Sequence, residues 1–407
     1  MWGKLGAIAP HTKFLVETAA KLPSHPVLGE VPTSLGLPNV TIGSSQWRIL
    51  LDTDAGGLTY RELLLRWLIT RAVVDQGSDI KGVEMWHHGL VDDCYVAGLR
   101  FLHDPDQAFA RYGEMVRIAD AKRKAVIGIR APLWAAEDPG RTPGQYTPFN
   151  VDGMRGGKQA HWFLSARMMP ALLTARLRSG GLTDLVFGSA SKESPSDMAR
   201  RLRNDSSEGL GWSMGDKACD LFAKWAIGTF HLGEGLSIPW TPADCPLPMD
   251  QRVGRVLMRC GFMDEFFGVV RIAGIKNNGL KPPSPAVKRP STGGPLPSGA
   301  WHLTVMNFRR NSVVKDKSVL DWLAGTATAT GMTPPKKWRP QDVISALCRS
   351  YNASYSGGIS PVELDDFLMN TATPCSDNSP NCSSCPLTAK CQAHNVPKMV
   401  GLKQYYT

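Results

Sequence analysis

Four cysteines crowd into seventeen residues near the C-terminus: Cys375, Cys382, Cys385 and Cys391, spaced C-x6-C-x2-C-x5-C. Thiolates this close in sequence can converge on one soft metal centre. A four-cysteine zinc site and an iron–sulfur cluster both use such a donor set. Zinc ribbons usually pair two distant C-x2-C knuckles, whereas here a single C-x2-C pair is flanked by loops of six and five residues. Donor chemistry alone leaves the two centres open. The other cysteines, Cys94, Cys219, Cys245, Cys260 and Cys348, are scattered, and the total of nine is odd. A secreted disulfide framework would distribute its cysteines more evenly through a smaller chain, so the pattern reads as reduced thiols plus one metal site.

Two further residues have chemistry to offer. Asp250 opens an amphipathic run through Val253, Val256, Leu257 and Met258, with Gly261 at its end. An aspartate there is an N-cap and a glycine there a C′ residue. Asp216 is placed to cap a second helix beginning at Lys217. Taken by itself, Lys217 is a lysine on a helix surface.

The cysteine spacing and its C-terminal position resemble the iron–sulfur loop of the endonuclease III and MutY-like families, the helix-hairpin-helix DNA glycosylase superfamily. The preceding segment Pro361–Met369 is similar to the helix that leads into that loop. Pro248-Met-Asp250-Gln-Arg252-Val-Gly-Arg-Val256 resembles the superfamily's P-x-D-T-x-V-x-R-V segment, and Ser213-Met-Gly215-Asp-Lys217-Ala218 resembles its hairpin, G-x-G-x-K. The chain departs from the pattern in three ways. Ser213 replaces the first hairpin glycine, Lys217 and Asp250 stand further apart than in the family, and an insertion occupies about 103–195.

The resemblance implies a mainly α fold of two helical domains with a DNA-binding cleft between them. It implies a [4Fe-4S] cluster on Cys375, Cys382, Cys385 and Cys391 that is not the catalytic centre, and double-stranded DNA as partner. Asp250 takes the place of the catalytic aspartate and Lys217 that of the Schiff-base lysine. Ser213, Gly215, Gln76, Arg71, Arg252 and Lys390 are the expected DNA contacts, Gln76 being one candidate for the side chain inserted into the base stack, where an ungapped register puts Ala72, beside Arg71, instead. The implied activity is a DNA glycosylase, with or without lyase activity at abasic sites, that flips a base and breaks its bond to C1′. A carboxylate beneath the sugar stabilises the positive charge that develops there. Divergent members of the superfamily, the phage amino-acid:DNA transferases, modify a thymine without excising it and are the second expectation. A non-catalytic DNA-binding module is the third.

The elements that must position these residues read as helices. Leu63, Leu64, Trp67, Leu68 and Val74 recur near a 3.6-residue period from Tyr60 to Val74, and further helical stretches fall at 80–102, 105–125, 158–178, 195–204 and 216–228. Ala125–Ile129 reads as a short strand. Phe230 and Trp240 are either base-stacking or packing residues. Residues 1–50, rich in Pro and Gly, read as an N-terminal extension; 51–75 with 259–395 as the cluster domain, including a Pro-rich loop at 279–300; 76–258 as a barrel-like domain with the hairpin; and 396–407 as a tail.

The chain has 407 residues, 43% hydrophobic, and a net charge of +10. That excludes a disordered chain and favours a polyanionic partner, though charge alone does not choose among DNA, RNA and anionic lipid. The apolar start is interrupted by Pro10-His11-Thr12-Lys13, making a weak signal peptide, and no stretch is apolar enough for a membrane span. The expectation is a cytoplasmic, nucleoid-associated monomer.

Overall fold

A computed structural model of the chain describes residues 1–22, 30–75, 80–137, 158–177, 181–204, 210, 213–268, 312–355, 357–375 and 381–392. Gln76, the Pro-rich loop 279–300 and the tail 396–407 lie outside the described residues. The protein is mainly α, and among the described residues the only β pairing is an isolated bridge between Asp54 and Thr59. No helix among them is long and apolar enough to cross a membrane. The chain divides into two compact units, Leu28–Thr241 and Met1–Val27 with Pro242–Thr407.

The first of these is built around the helix Tyr60–Val74, whose side chains from Arg61 to Val74 are all buried. Leucine, tryptophan, isoleucine and valine are spread around its whole circumference, so every face has apolar surface to bury, and the charged residues among them go inside with partners. Thr59 starts it by accepting from the Glu62 amide at 3.2 Å. Ile80–Val96, Met169–Leu177, Gly181–Phe187 and Asp216–Ala223 pack against it.

The charges on this helix all do structural work. Arg61 pairs with Asp52 at 2.7 Å and donates to the carbonyls of Leu232 and Glu234. Arg66 pairs with Glu62 at 2.8 Å and donates to the carbonyls of Leu102 and His103. Glu62 also accepts from the Leu182 and Thr183 amides, both at 2.9 Å, and so caps the Gly181–Phe187 helix. Gly181 has φ +67°, and a Cβ there would meet the Glu62 carboxylate at 2.6 Å.

Two helices of this unit pass into π-helical turns, Leu164–Met168 after Lys158–Phe163, and Lys224–Thr229 after Asp216–Ala223. The strand expected at Ala125–Ile129 is corrected: those residues continue the helix Tyr112–Glu137. Phe230 is 3% exposed and packs on Trp47 and Trp67, and Trp240 packs on Phe187 and donates to the Glu193 carbonyl at 2.8 Å. The packing alternative therefore describes both.

The second unit combines the N-terminal helices Trp2–Ile8 and Pro10–Lys21 with Gln251–Cys260, Phe262–Phe267, Lys317–Thr330, Pro340–Asn352 and Pro361–Thr371. Leu15, Val16, Leu257, Phe262, Leu323, Leu347 and Leu368 share its core. The expected extension over 1–50 is corrected, because Trp2 and Leu5 are buried here and Trp2 meets Tyr351 edge-on at 5.3 Å. Pro10 opens its helix at N1, where a proline costs nothing. The helix Tyr60–Val74, expected with the cysteine loop, belongs to the other unit, and the division falls after Thr241 rather than after 258.

Candidate functional site

Cys375, Cys382, Cys385 and Cys391 line one cavity together with Arg259, Pro374 and Thr388. The helix Pro361–Thr371 leads into it, started by Ser360 and Glu363, which close a capping box. Beyond it the backbone turns tightly: the Cys385 amide donates to the Cys382 carbonyl at 3.2 Å, and the Thr388 amide to the Cys385 carbonyl at 3.2 Å. The Thr388 hydroxyl donates to the Cys382 carbonyl, and Cys391 Sγ donates to the Arg259 carbonyl at 3.3 Å. Burial pushes the Cys375 thiol up to about 11, against the pull of Arg259 and Arg255. Burial also raises the Cys385 thiol, with Cys382 adding to the effect and Arg259 opposing it. Among the described residues, no three His, Cys, Asp or Glu side chains are grouped to hold a single metal ion.

The helix Gln251–Cys260 runs from Asp250 to this cavity. Ten residues span about 15 Å. Asp250 is its N-cap, Oδ1 accepting from the Arg252 and Val253 amides at 2.8 and 2.9 Å. In the last turn lies Arg259, 1% exposed, which reaches the cysteines. Arg255 donates to the Ala372 carbonyl at 2.9 Å, tying this helix to the approach of Cys375. Ahead of Asp250, the Gln341 side chain bonds both the amide and the carbonyl of Leu247, at 2.9 and 2.6 Å. The aspartate is thus fixed from both sides.

The N-terminus closes the same neighbourhood. Glu265 accepts from the His11 and Thr12 amides, each at 2.8 Å, capping the Pro10–Lys21 helix. His11 Nδ1 donates to the Lys390 carbonyl at 2.6 Å. Lys390 itself is exposed, its ammonium 5.7 Å from the Phe14 ring centre.

In the other unit, Gly215 is exposed and is the N-cap of Asp216–Ala223. Asp216, expected as the cap, is the first helical residue and pairs with Arg203 at 2.6 Å. Ser213 is fully buried, bonds Leu210 through both its amide and its hydroxyl, and accepts from Arg167 at its carbonyl at 2.9 Å. A buried side chain with those bonds cannot touch a DNA backbone, which corrects its expected role. Arg71 is corrected in the same way: it is 2% exposed, bonded to Asp75 at 3.1 Å, with the Trp225 ring centre 5.6 Å away. Arg252 is half-buried on the first turn after Asp250.

Lys217 is 28% exposed in its side chain, and its Nζ lies 2.9 Å from Asp75 Oδ2. Burial opposes charge on Asp75, but Lys217 and Arg71 outweigh it and hold the carboxyl below its ordinary value. Sequence reasoning missed Asp75 and Arg259. Asp75 carried one signal, its place four residues after Arg71; Arg259 carried none beyond its charge.

No family model, no curated protein and no solved structure matches the chain.

Proposed function

We propose that the chain is a DNA base-acting enzyme, a glycosylase related to the helix-hairpin-helix superfamily, that carries a [4Fe-4S] cluster on Cys375, Cys382, Cys385 and Cys391. The observation that carries this proposal is the convergence of those four thiols on one cavity, reached by the helix that Asp250 caps. A zinc ion needs four sulfurs at about 2.3 Å from a single point. A [4Fe-4S] cube takes one thiolate per iron, and the resemblance of the cysteine spacing to the superfamily's iron–sulfur loop favours it over zinc. A cluster bound there supplies a structural cross-link for the loop.

The catalytic roles rest on this chain's own residues. Asp250 holds one oxygen on two backbone amides, which fixes the carboxylate as a charge facing the sugar cation that forms when the base departs. The exposed Gly215 at a helix N-terminus supports a phosphate contact there, and Lys390 and Arg252 support others. Lys217 is ion-paired with Asp75, which supports water as the nucleophile. The same pair favours the second reading, a base-modifying transferase, because that chemistry leaves the bond at C1′ intact and needs no lysine there.

Anaerobic purification tests the cluster. The expected protein is brown and holds iron and acid-labile sulfide in equal amounts, and Cys382→Ser loses both. A colourless protein with zinc bound at these cysteines would sink the proposal. Incubation with a panel of modified duplexes separates the two reactions: free base identifies the glycosylase, and an intact glycosidic bond bearing an adduct identifies the transferase.

A further inference from the structure

Asp75 ends the buried helix Tyr60–Val74, and its amide donates to the Ala72 carbonyl at 3.3 Å. Its carboxylate, 4% exposed, serves two cations at once: Arg71 at 3.1 Å on one oxygen and Lys217 at 2.9 Å on the other. The Asp75 backbone carbonyl also lies 3.4 Å from Lys217 Nζ. Both partners are mounted on helices, so the pair is fixed at its two ends.

Resting on the proposed DNA glycosylase relationship, we propose that Asp75 is a positioning residue that holds Lys217 as an ammonium ion and so bars it from covalent attack on the sugar. The barred step is imine formation. The Nζ lone pair would add to the C1′ aldehyde of an opened abasic sugar, the nitrogen would give up its two protons to the aldehyde oxygen, and that oxygen would leave as water as the C=N bond forms. An ammonium has no lone pair to offer. Nucleophilic lysines are activated by apolar burial or by a neighbouring cation. A carboxylate at contact distance does the reverse. Lys217 therefore acts as a fixed positive charge, and the chain binds abasic sites without cutting beside them.

The test is borohydride trapping on a duplex with one abasic site, where hydride reduces the imine carbon to a stable amine link. Wild type is expected to bind the duplex in a mobility-shift assay and yield only a trace of trapped complex. D75N leaves Arg71 buried beside a neutral amide and is at risk of unfolding, so the double variant R71M/D75N removes both charges and keeps an apolar chain on Trp225. In it we expect roughly tenfold or more trapped complex, the usual size of a contact-charge effect on protonation. K217A added to that variant should abolish the gain. Trapping by wild type equal to that of the double variant, or none by a double variant that binds the duplex, overturns the proposal.

If neither protein binds the duplex, the DNA assignment fails and the lysine is tested without DNA. Reductive methylation by formaldehyde and cyanoborohydride, followed peptide by peptide, should modify Lys217 about tenfold more slowly in wild type than in the double variant. Equal rates would overturn the proposal on their own.

Discussion

Asp250 places two demands on one carboxylate, and the two can be separated by substitution. Its Oδ1 caps a helix, a task asparagine performs equally well, whereas the proposed charge on the sugar needs the anion. D250N should therefore melt within a few tenths of a kcal/mol of wild type yet lose base release; D250A should lose base release and also about 1 kcal/mol of stability. Urea titration beside a glycosylase assay checks both, and an active D250N would remove the aspartate from the chemistry. A second residue-scale expectation comes from acid. His87 is 1% exposed; the Thr70 hydroxyl donates to the Trp67 carbonyl at 2.8 Å, so His87 Nε2 donates to Thr70 at 3.0 Å. Burial, Arg71 and His88 hold His87 well below its ordinary 6.5. Both His87 and Asp75 bind protons less readily folded than unfolded. Stability is therefore whole at neutral pH, falls as pH drops below about 6.5 through His87, and falls further below 3.8 through Asp75. Melting temperatures across that range should show both phases, and R71M/D75N should keep the first and show a smaller second, the remainder coming from carboxylates such as Glu17 and Asp120 that are also held below their ordinary values.

At the scale of elements, Gly261 joins two helices where no other residue fits. Its φ is +107°, and a Cβ would lie 2.9 Å from His11 Cβ. His11 in turn holds the Lys390 carbonyl beside Cys391. Gly261→Ala should cost on the order of 1–3 kcal/mol through the strained backbone and displace His11 from the cysteine loop. The iron content of the purified protein should fall with it, while Gly57→Ala, a positive-φ glycine with open space around it in the other unit, should leave iron unchanged. These elements differ in how far sequence exposed them. Gln251–Cys260 was legible almost to the residue, because a capping aspartate, an apolar stripe and a terminal glycine are local signals. Tyr60–Val74 was legible as a helix, but its burial on all sides was not, so Arg71 looked like a surface cation. Trp2–Ile8 and Pro10–Lys21 were hidden by a Pro- and Gly-rich composition, since their stability comes from packing on residues far along the chain. Ala125–Ile129 has the composition of a strand, and the long helix around it overrides that preference. That the four cysteines of the C-terminal loop come together could be read from their spacing, since they lie within seventeen residues and line one cavity. The Asp75 partner of Lys217, 142 residues away, could not, because only the tertiary fold sets them side by side.

At the scale of the whole molecule, the net charge of +10 makes its own prediction, and burial decides which cations share in it. Binding to duplex DNA releases counterions, so the logarithm of affinity should fall linearly with the logarithm of salt concentration, by about 0.9 per phosphate neutralised. Lys390 is exposed, and its replacement by alanine should lower that slope by about one. Arg71 carries the same charge but is 2% exposed and already paired, so Arg71→Met should leave the slope unchanged even where it weakens the fold. D250N removes an anion at a helix start and should strengthen binding slightly without altering the phosphate count. Fluorescence anisotropy with a short duplex between about 50 and 200 mM salt measures all three, the range over which six to ten phosphate contacts change affinity by about 10³–10⁵. A flat wild-type salt response would show that the positive charge serves something other than nucleic acid, and a slope that falls with Arg71→Met would show that this arginine reaches DNA after all.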